Sequence, residues 1–232
     1  MKIRVYQIDA NKDHRDLMFR CYDDAVKTVG SIDESVYKCV YDGYVRAGTL
    51  EDIYDQLNSE HPIGYNGHSL SVSDVVCIYE NENRISAGCY YCNTIGFKKL
   101  ESFDVSKIPP ISGHRMLVIE PQKVPYEMII PDGLEPLQQA VKGYIECTYP
   151  FNDNAFVIGN EEAKLIGMEG NRTINGQIYA GPILIAADDG YGGTTDLTDD
   201  QIQKYTHEFA VPEVISDAEV ANSIRYMVYG FN

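Results

Sequence analysis

Hydrophobic positions along the chain switch between the period of a strand and the period of a helix, and each switch marks an element. Ile3, Val5, Tyr6 and Ile8 predict an opening strand with imperfect alternation. A helix is expected over Asp16 to Val26. Val36 to Tyr41 is β-branched and aromatic and predicts a strand, which Asp42-Gly43 closes as a turn. Thr49 with Asp52 forms a start like a capping box, and Leu50, Ile53, Tyr54 and Leu57 follow at i, i+3, i+4 and i+7. Asn58 ends this helix, and His61-Pro62 cannot extend it. Asp74 to Glu80, Gly88 to Cys92 and Gly96 to Phe103 read as a meander of strands, with Asn81-Glu82-Asn83 as its first turn.

Beyond Ile108-Pro109-Pro110-Ile111-Ser112-Gly113, which reads as a linker, the pattern starts again. Met116 to Ile119 is a strand. Leu134, Leu137 and Val141 share a helical face. Ala155 to Ile158 is a short buried strand, and Asn175-Gly176 between Thr173-Ile174 and Gln177-Ile178-Tyr179 is a strong hairpin signal. Pro182 to Ala187 is another strand. Thr198 with Gln201 caps a helix that carries Ile202, Tyr205 and Phe209 on one face and stops before Pro212. Ser216 with Glu219 caps a last helix that carries Val220, Ile224, Met227 and Val228. Strands and helices mix without strict βαβ alternation. The expected class is α+β, as two small mixed domains, each a mostly antiparallel sheet with a few helices. The expected boundaries are 1–108, 114–215 and a C-terminal helix at 216–232.

The length of 232 residues and a 44% hydrophobic content supply a core for each domain. The chain has 19 Lys+Arg against 35 Asp+Glu, a net charge of −16. Residues 1–113 hold 12 basic and 17 acidic side chains, a net −5, and residues 114–232 hold 7 and 18, a net −11. That balance argues against direct nucleic-acid binding, which needs clustered Lys and Arg. It suits a protein partner, especially a basic one. No apolar signal-peptide core follows the charged stretch from Met1 to Arg15, and the longest charge-free apolar stretch, between Arg172 and Asp188, is too short and too broken for a spanning helix. A cytoplasmic protein with no membrane contact is expected, and its six cysteines read as free thiols.

Each chemical motif meets a plainer reading. Cys89-Tyr90-Tyr91-Cys92 has no second pair of zinc ligands, and in a strand the two sulfurs point to opposite faces, so it reads as a packed strand. Gly67-His68-Ser69-Leu70-Ser71 lacks the closing glycine of a nucleophile elbow, and reads as a polar loop whose Ser and Asp side chains bond nearby backbone. Asp188 to Asp196 places Gly190 and Gly192 where a calcium loop needs ligands, and reads as a flexible connection. Asp153, Glu161, Glu162 and Glu169 with Asn160 and Asn171 read as a solvated acidic face. The 18 tyrosines, with no Trp, fit both strand propensity and interface use. No cofactor, no metal and no catalytic residue is assigned.

Two stretches carry family resemblances. Val40-Tyr41-Asp42-Gly43, Leu50 to Tyr54, Asn58, His61-Pro62, Tyr65 to Val76, Tyr90 to Asn93 and Gly96-Phe97 resemble the YodL-like domain. Val118 to Pro121, Pro125-Tyr126, Leu134, Leu137-Gln138, Gly143 to Glu146, Asn160-Glu161, Lys164, Asn171-Arg172 and Gly181-Pro182 resemble a domain-of-unknown-function family common in phages and conjugative elements. These resemblances imply two modules in a phage or mobile element of Firmicutes, and they carry over no catalytic residue. The expected function is that of a non-enzymatic accessory protein that binds a host or element protein and modulates host defence or physiology. The alternative is a small-ligand or nucleotide-binding protein, or a minor enzyme, with its site at Glu120, Asn160, Glu161, Lys164, Asn171 and Arg172. There Lys164 and Arg172 would address an anion. A third reading is a structural protein whose modules oligomerise.

Overall fold

A computed structural model describes residues 1–59, 61–80 and 85–224. The chain divides into two units, Met1–Ser112 and Gly113–Asn232, with the break at the proline-rich linker. The fold is α+β with antiparallel sheets, as the pattern predicts.

In the first unit, β1 (Lys2–Ile8) is followed by α1 (Tyr22–Val29), β2 (Tyr37–Tyr44), α2 (Leu50–Ser59), β3 (Val75–Ile78), β4 (Gly88–Cys92) and β5 (Phe97–Lys99). The sheet order is β2-β1-β3-β4-β5. β1 therefore lies inside the sheet, and Val5 to Ile8 are all buried. That double burial, with a bulge opposite Val5/Tyr6, is the reason its alternation is imperfect. One face of the sheet packs Tyr6, Ile8, Tyr37, Val75 and Tyr91 with Leu17 and Ala25.

Three expectations need correction here. The helix over Asp16 to Val26 begins only at Tyr22. The Asp13 carboxylate takes the N–H groups of Leu17 and Met18 at 2.8 and 2.9 Å, and Asp16 and Phe19 sit at φ 50° and 64°, in the left-handed region. Asp42-Gly43 is not a turn, because β2 runs through it. Arg4 lies opposite Asp42 in the ladder and donates to its carboxylate at 2.6 Å, which lets an acidic residue stay in the strand. The third correction concerns the thiols. Cys77 and Cys89 are paired residues of β3 and β4 with Cα atoms 4.0 Å apart, and they form a disulfide, so only Cys21, Cys39, Cys92 and Cys147 are free. The Asn81-Glu82-Asn83 turn lies outside the described residues.

The α2 start matches its sequence signal. Asp52 N–H donates to Thr49 Oγ1 at 3.1 Å, and the Asp52 carboxylate accepts from Thr49 N–H at 2.9 Å. Ile53 and Leu57 are buried.

The second unit runs β6 (Gly113–Ile119), β7 (Tyr126–Pro131), α3 (Leu134–Val141), β8 (Ile145–Thr148), β9 (Ala155–Asn160), β10 (Gly170–Ile174), β11 (Gln177–Ala180), β12 (Ile183–Asp188), β13 (Thr194–Thr195), α4 (Asp199–Glu208) and α5 (Asp217–Asn222). The main sheet has the order β7-β6-β12-β9-β8, with β13 paired to β12. β9 and β12, in the middle, are apolar almost throughout. One face packs Leu117, Ile119, Val157, Ile183 and Ile185 against Tyr205 and Phe209 of and just beyond α4, and against Ile174 and Tyr179 of the β10–β11 hairpin. That hairpin turns at Asn175 and Gly176, φ 48° and 76°, as the Asn-Gly signal requires. The capping boxes at Thr198/Gln201 and Ser216/Glu219 both form. Val220 packs with Ala163 and Ala180. Met227 and Val228 of the expected last helix lie outside the described residues. The Asp188 to Asp196 connection is itself a hairpin, since Thr194 and Thr195 pair back onto Asp188 and Ala187. Leu134, on the helical face it shares with Leu137 and Val141, is 57% exposed.

Candidate functional site

The strand β8 is the organising element. It is four residues long, and it closes the sheet at one edge. Gly143-Tyr144 leads into it and Tyr149-Pro150 ends it, since Pro cannot donate to a ladder. Successive side chains leave a strand on opposite faces, so β8 divides its surroundings in two. Ile145 and Cys147 line an apolar cleft of about 380 Å³ on one face. Glu146 lines a polar cavity of about 550 Å³ on the other, where Thr148 Oγ1 and Tyr179 OH meet at 2.6 Å.

The polar cavity holds three of the six residues expected to form a site. Asn160, Glu161 and Lys164 line it together with Glu146, Gln177 and Tyr179. Asn160 is fixed by its amide, which donates to the Lys142 carbonyl at 3.0 Å, while its Oδ1 accepts from Glu162 N–H at 2.8 Å. Burial raises the Glu146 carboxyl above its ordinary range, Lys164 lowers it, and the nearby Glu161 raises it further. Two carboxylates and one ammonium line this cavity, so it offers charges of both signs to a ligand.

The other three expected residues lie elsewhere. Asn171 and Arg172 are 0% and 1% exposed. The Asn171 amide donates to the carbonyls of Ile119 and Gly181 at 2.8 and 2.7 Å. The Arg172 guanidinium donates to the carbonyls of Asn171, Lys123 and Phe209 at 2.9, 2.7 and 3.2 Å. It thereby ties β10 to the loop after β6 and to the end of α4. Burial holds this guanidinium below its ordinary range, with Glu213 acting in the opposite direction. Glu120 pairs with Lys123 and accepts from Tyr126 OH at 2.8 Å. The expected acidic face also separates. Asp153 pairs with Lys204 and Tyr205, and Glu169 accepts from Gln122.

The apolar cleft was not legible in the sequence. Met116, Ile130, Leu137, Phe156 and Ile158 form its floor and wall. His114 stands at its rim, with Nε2 3.4 Å from Asp132 Oδ1 and Nδ1 3.6 Å from Asp196 Oδ1. Cys147 and His114 both line this cleft, yet β12 and β9 lie between their strands. Three strand spacings are about 14 Å, too far for a nucleophile and its base. β8 itself left a signal in Tyr144-Ile145-Glu146-Cys147-Thr148-Tyr149, an aromatic and β-branched run between Gly143 and Pro150.

In the first unit, the polar loop before β3 encloses a buried network. Asp74 Oδ2 accepts from Ser71 N–H at 2.8 Å and from the Gln7 amide at 3.0 Å. Gln7 Oε1 accepts from His68 N–H at 3.1 Å, and Tyr65 OH donates to the His68 carbonyl at 2.7 Å. Burial pushes the Asp74 carboxyl up to about 7, against the lowering effect of those two donors. The loop's Asp74 bonds local backbone, as expected, but Ser73 Oγ accepts from Phe19 N–H, 54 residues away. Cys92 of the CxxC is buried in its strand, and burial raises its thiol to about 12, with the Asp74 charge adding to the rise.

No helix among the described residues is long and apolar enough to cross a membrane. Within those residues, no group of three or more His, Cys, Asp or Glu side chains is placed to hold a metal ion. No curated protein and no solved structure matches the chain. Residues 2–103 match the model of the YodL-like domain and residues 114–210 match that of the domain of unknown function (DUF3846), so the two matches lie in tandem along the chain.

Proposed function

We propose that the chain is a non-catalytic accessory protein that acts by binding another protein. The two family resemblances support a setting in a phage or mobile element of Firmicutes, where the bound protein belongs to the host or the element and its binding modulates host defence or physiology. One observation carries the binding reading. Leu134, Tyr144, Tyr149, Leu165 and Ile166, each 57–65% exposed, stand beside β8 or line the two recesses it separates or adjoin their lining, in the unit that holds a net −11. Grouped exposed apolar side chains mark interaction surfaces, and an acidic surround selects a basic partner. The test is affinity capture with the purified chain from a lysate of a gut Firmicute, at low and at moderate salt. A discrete protein enriched over a control bait, and retained less at moderate salt, is the expected result. No enriched protein at either salt refutes the reading.

A second reading has its own observation. Asn160, Glu161 and Lys164 share a cavity of about 550 Å³, a volume that suits a small ligand. Arg172 lies buried among carbonyls, which leaves Lys164 as the cation expected to address an anion there. Thermal-shift screening with a nucleotide panel tests it. A shift that Lys164→Ala abolishes supports this reading, and an unchanged melting curve across the panel ends it.

A further inference from the structure

The backbone of β8 has an open side. Glu161 N–H donates to the Tyr144 carbonyl at 2.9 Å, which fixes the phase of the β8–β9 ladder. Hydrogen-bonded and non-hydrogen-bonded pairs alternate in an antiparallel ladder. Tyr144 and Glu161 form a bonded pair, so Glu146–Gly159 and Thr148–Val157 are bonded pairs as well. Ile145–Asn160 and Cys147–Ile158 are then non-bonded pairs, and the N–H and C=O groups of Ile145 and Cys147 point away from the sheet. Among the described residues, nothing is bonded to those outward groups. An edge of this kind is a template for another strand.

The side chains around the edge say which strand fits. A strand added to β8 would send alternate residues to opposite faces. On one face its residues would meet the apolar cleft walled by Met116, Phe156 and Ile158 beside Ile145 and Cys147. On the other face they would meet Glu146 and Glu161, next to Lys164. Tyr144 and Tyr149, 65% and 63% exposed, flank the two ends of the edge.

We propose that β8 is a strand-addition site for an extended segment of a partner protein in which apolar residues alternate with Lys or Arg. The proposal rests on the protein-binding reading and deepens it. Main-chain hydrogen bonds to Ile145 and Cys147 supply affinity, and the two recesses supply specificity. The commitment to alternate basic residues follows from charge complementarity with Glu146 and Glu161 and with the unit as a whole, which has 18 acidic against 7 basic side chains.

The probe is an N-acetylated, C-amidated peptide of alternating valine and lysine, titrated into the isotope-labelled full chain. The expected result is saturable binding with slowed hydrogen exchange at the Ile145 and Cys147 amides. Replacing lysine by glutamate in the peptide, or Glu146 by lysine in the chain, is expected to weaken binding about tenfold. Cys147→Pro removes one outward N–H without touching a bond to β9, and it is expected to abolish binding. Glu146→Lys keeps the test valid should Cys147→Pro fail to fold. No binding, equal binding of the glutamate peptide, equal binding of a peptide N-methylated at alternate residues, or unchanged exchange at Ile145 and Cys147 overturns the proposal. So does a dimer in light scattering that Cys147→Pro dissociates, because the occupant is then a second copy. A partner captured equally well by wild type, Glu146→Lys and Cys147→Pro overturns the edge site and leaves protein binding standing. Capture of no partner removes the binding reading itself.

Discussion

Replacing Asp74 by Asn tests whether the loop before β3 is built on a carboxyl that holds its proton. The side chain is 1% exposed, and its Oδ2 takes two N–H groups, from Ser71 and Gln7. Burial outweighs these donors and raises the group from its ordinary 3.8 to about 7. A difference of about three units, at about 1.36 kcal/mol each, is roughly 4 kcal/mol. The folded state holds this proton after the unfolded state has released it. The stabilisation is thus fully present below about pH 4 and is lost as the pH rises through about 7. Asn is a neutral isostere that keeps an acceptor oxygen for Ser71 and Gln7 and does not titrate. The stability of wild type minus that of Asp74→Asn should fall by roughly 4 kcal/mol between pH 4 and about pH 8. The comparison is made in a His68→Gln background, because His68 Nδ1 lies 3.9 Å from Asp74 Oδ2, and the more distant titrating groups then cancel. Urea unfolding followed through the NMR signals of Val75 to Ile78 reads this unit alone. The carboxyl carbon of Asp74 should titrate with a midpoint near 7. A midpoint at or below about 4, or a difference that stays flat with pH, refutes the reasoning.

Two further outcomes are expected. Arg172→Met removes a donor from the carbonyls of Asn171, Lys123 and Phe209 and should destabilise the second unit by about 3 kcal/mol in urea unfolding; an unchanged or raised midpoint would mean that burying the charge costs more than its bonds return. Alkylation of the denatured, unreduced protein should modify four cysteines and leave Cys77 and Cys89 joined by mass spectrometry, and in the folded protein the exposed Cys147 should react before the buried Cys92; six alkylated cysteines would show that the pair is not joined.

The parts of the fold that were legible in the sequence have local causes. A capping box is closed by residues three apart, so Thr198/Gln201 and Ser216/Glu219 announce α4 and α5 without any tertiary contact. The Asn175-Gly176 turn follows from the left-handed backbone these two residues tolerate. The start of α1, by contrast, was hidden because the Asp13 carboxylate competes for backbone N–H groups at a site that helical periodicity marks as interior. β7 and β8 were missed because these edge strands are partly exposed and their periodicity is weak, and β8 is only four residues long. Of the six residues expected to form one site, three share a cavity. Asn171 and Arg172 look identical in sequence to surface groups, and only the packing of β10 against α4 and the loop after β6 turned them into interior ties.

The sequence by itself determined the α+β class, the break at the proline-rich linker, the helix caps, the Asn-Gly hairpin and the acidity of the second half. All of these depend on composition or on residues a few positions apart. Tertiary structure decided the rest. The register of β3 against β4 placed Cys77 opposite Cys89, and burial lifted the Asp74 carboxyl. The order of strands in the second sheet left β8 at an edge, with an apolar recess on one face and an acidic one on the other. Which strand lies at an edge is set by pairings between residues far apart in the chain, and no local pattern of residues records it.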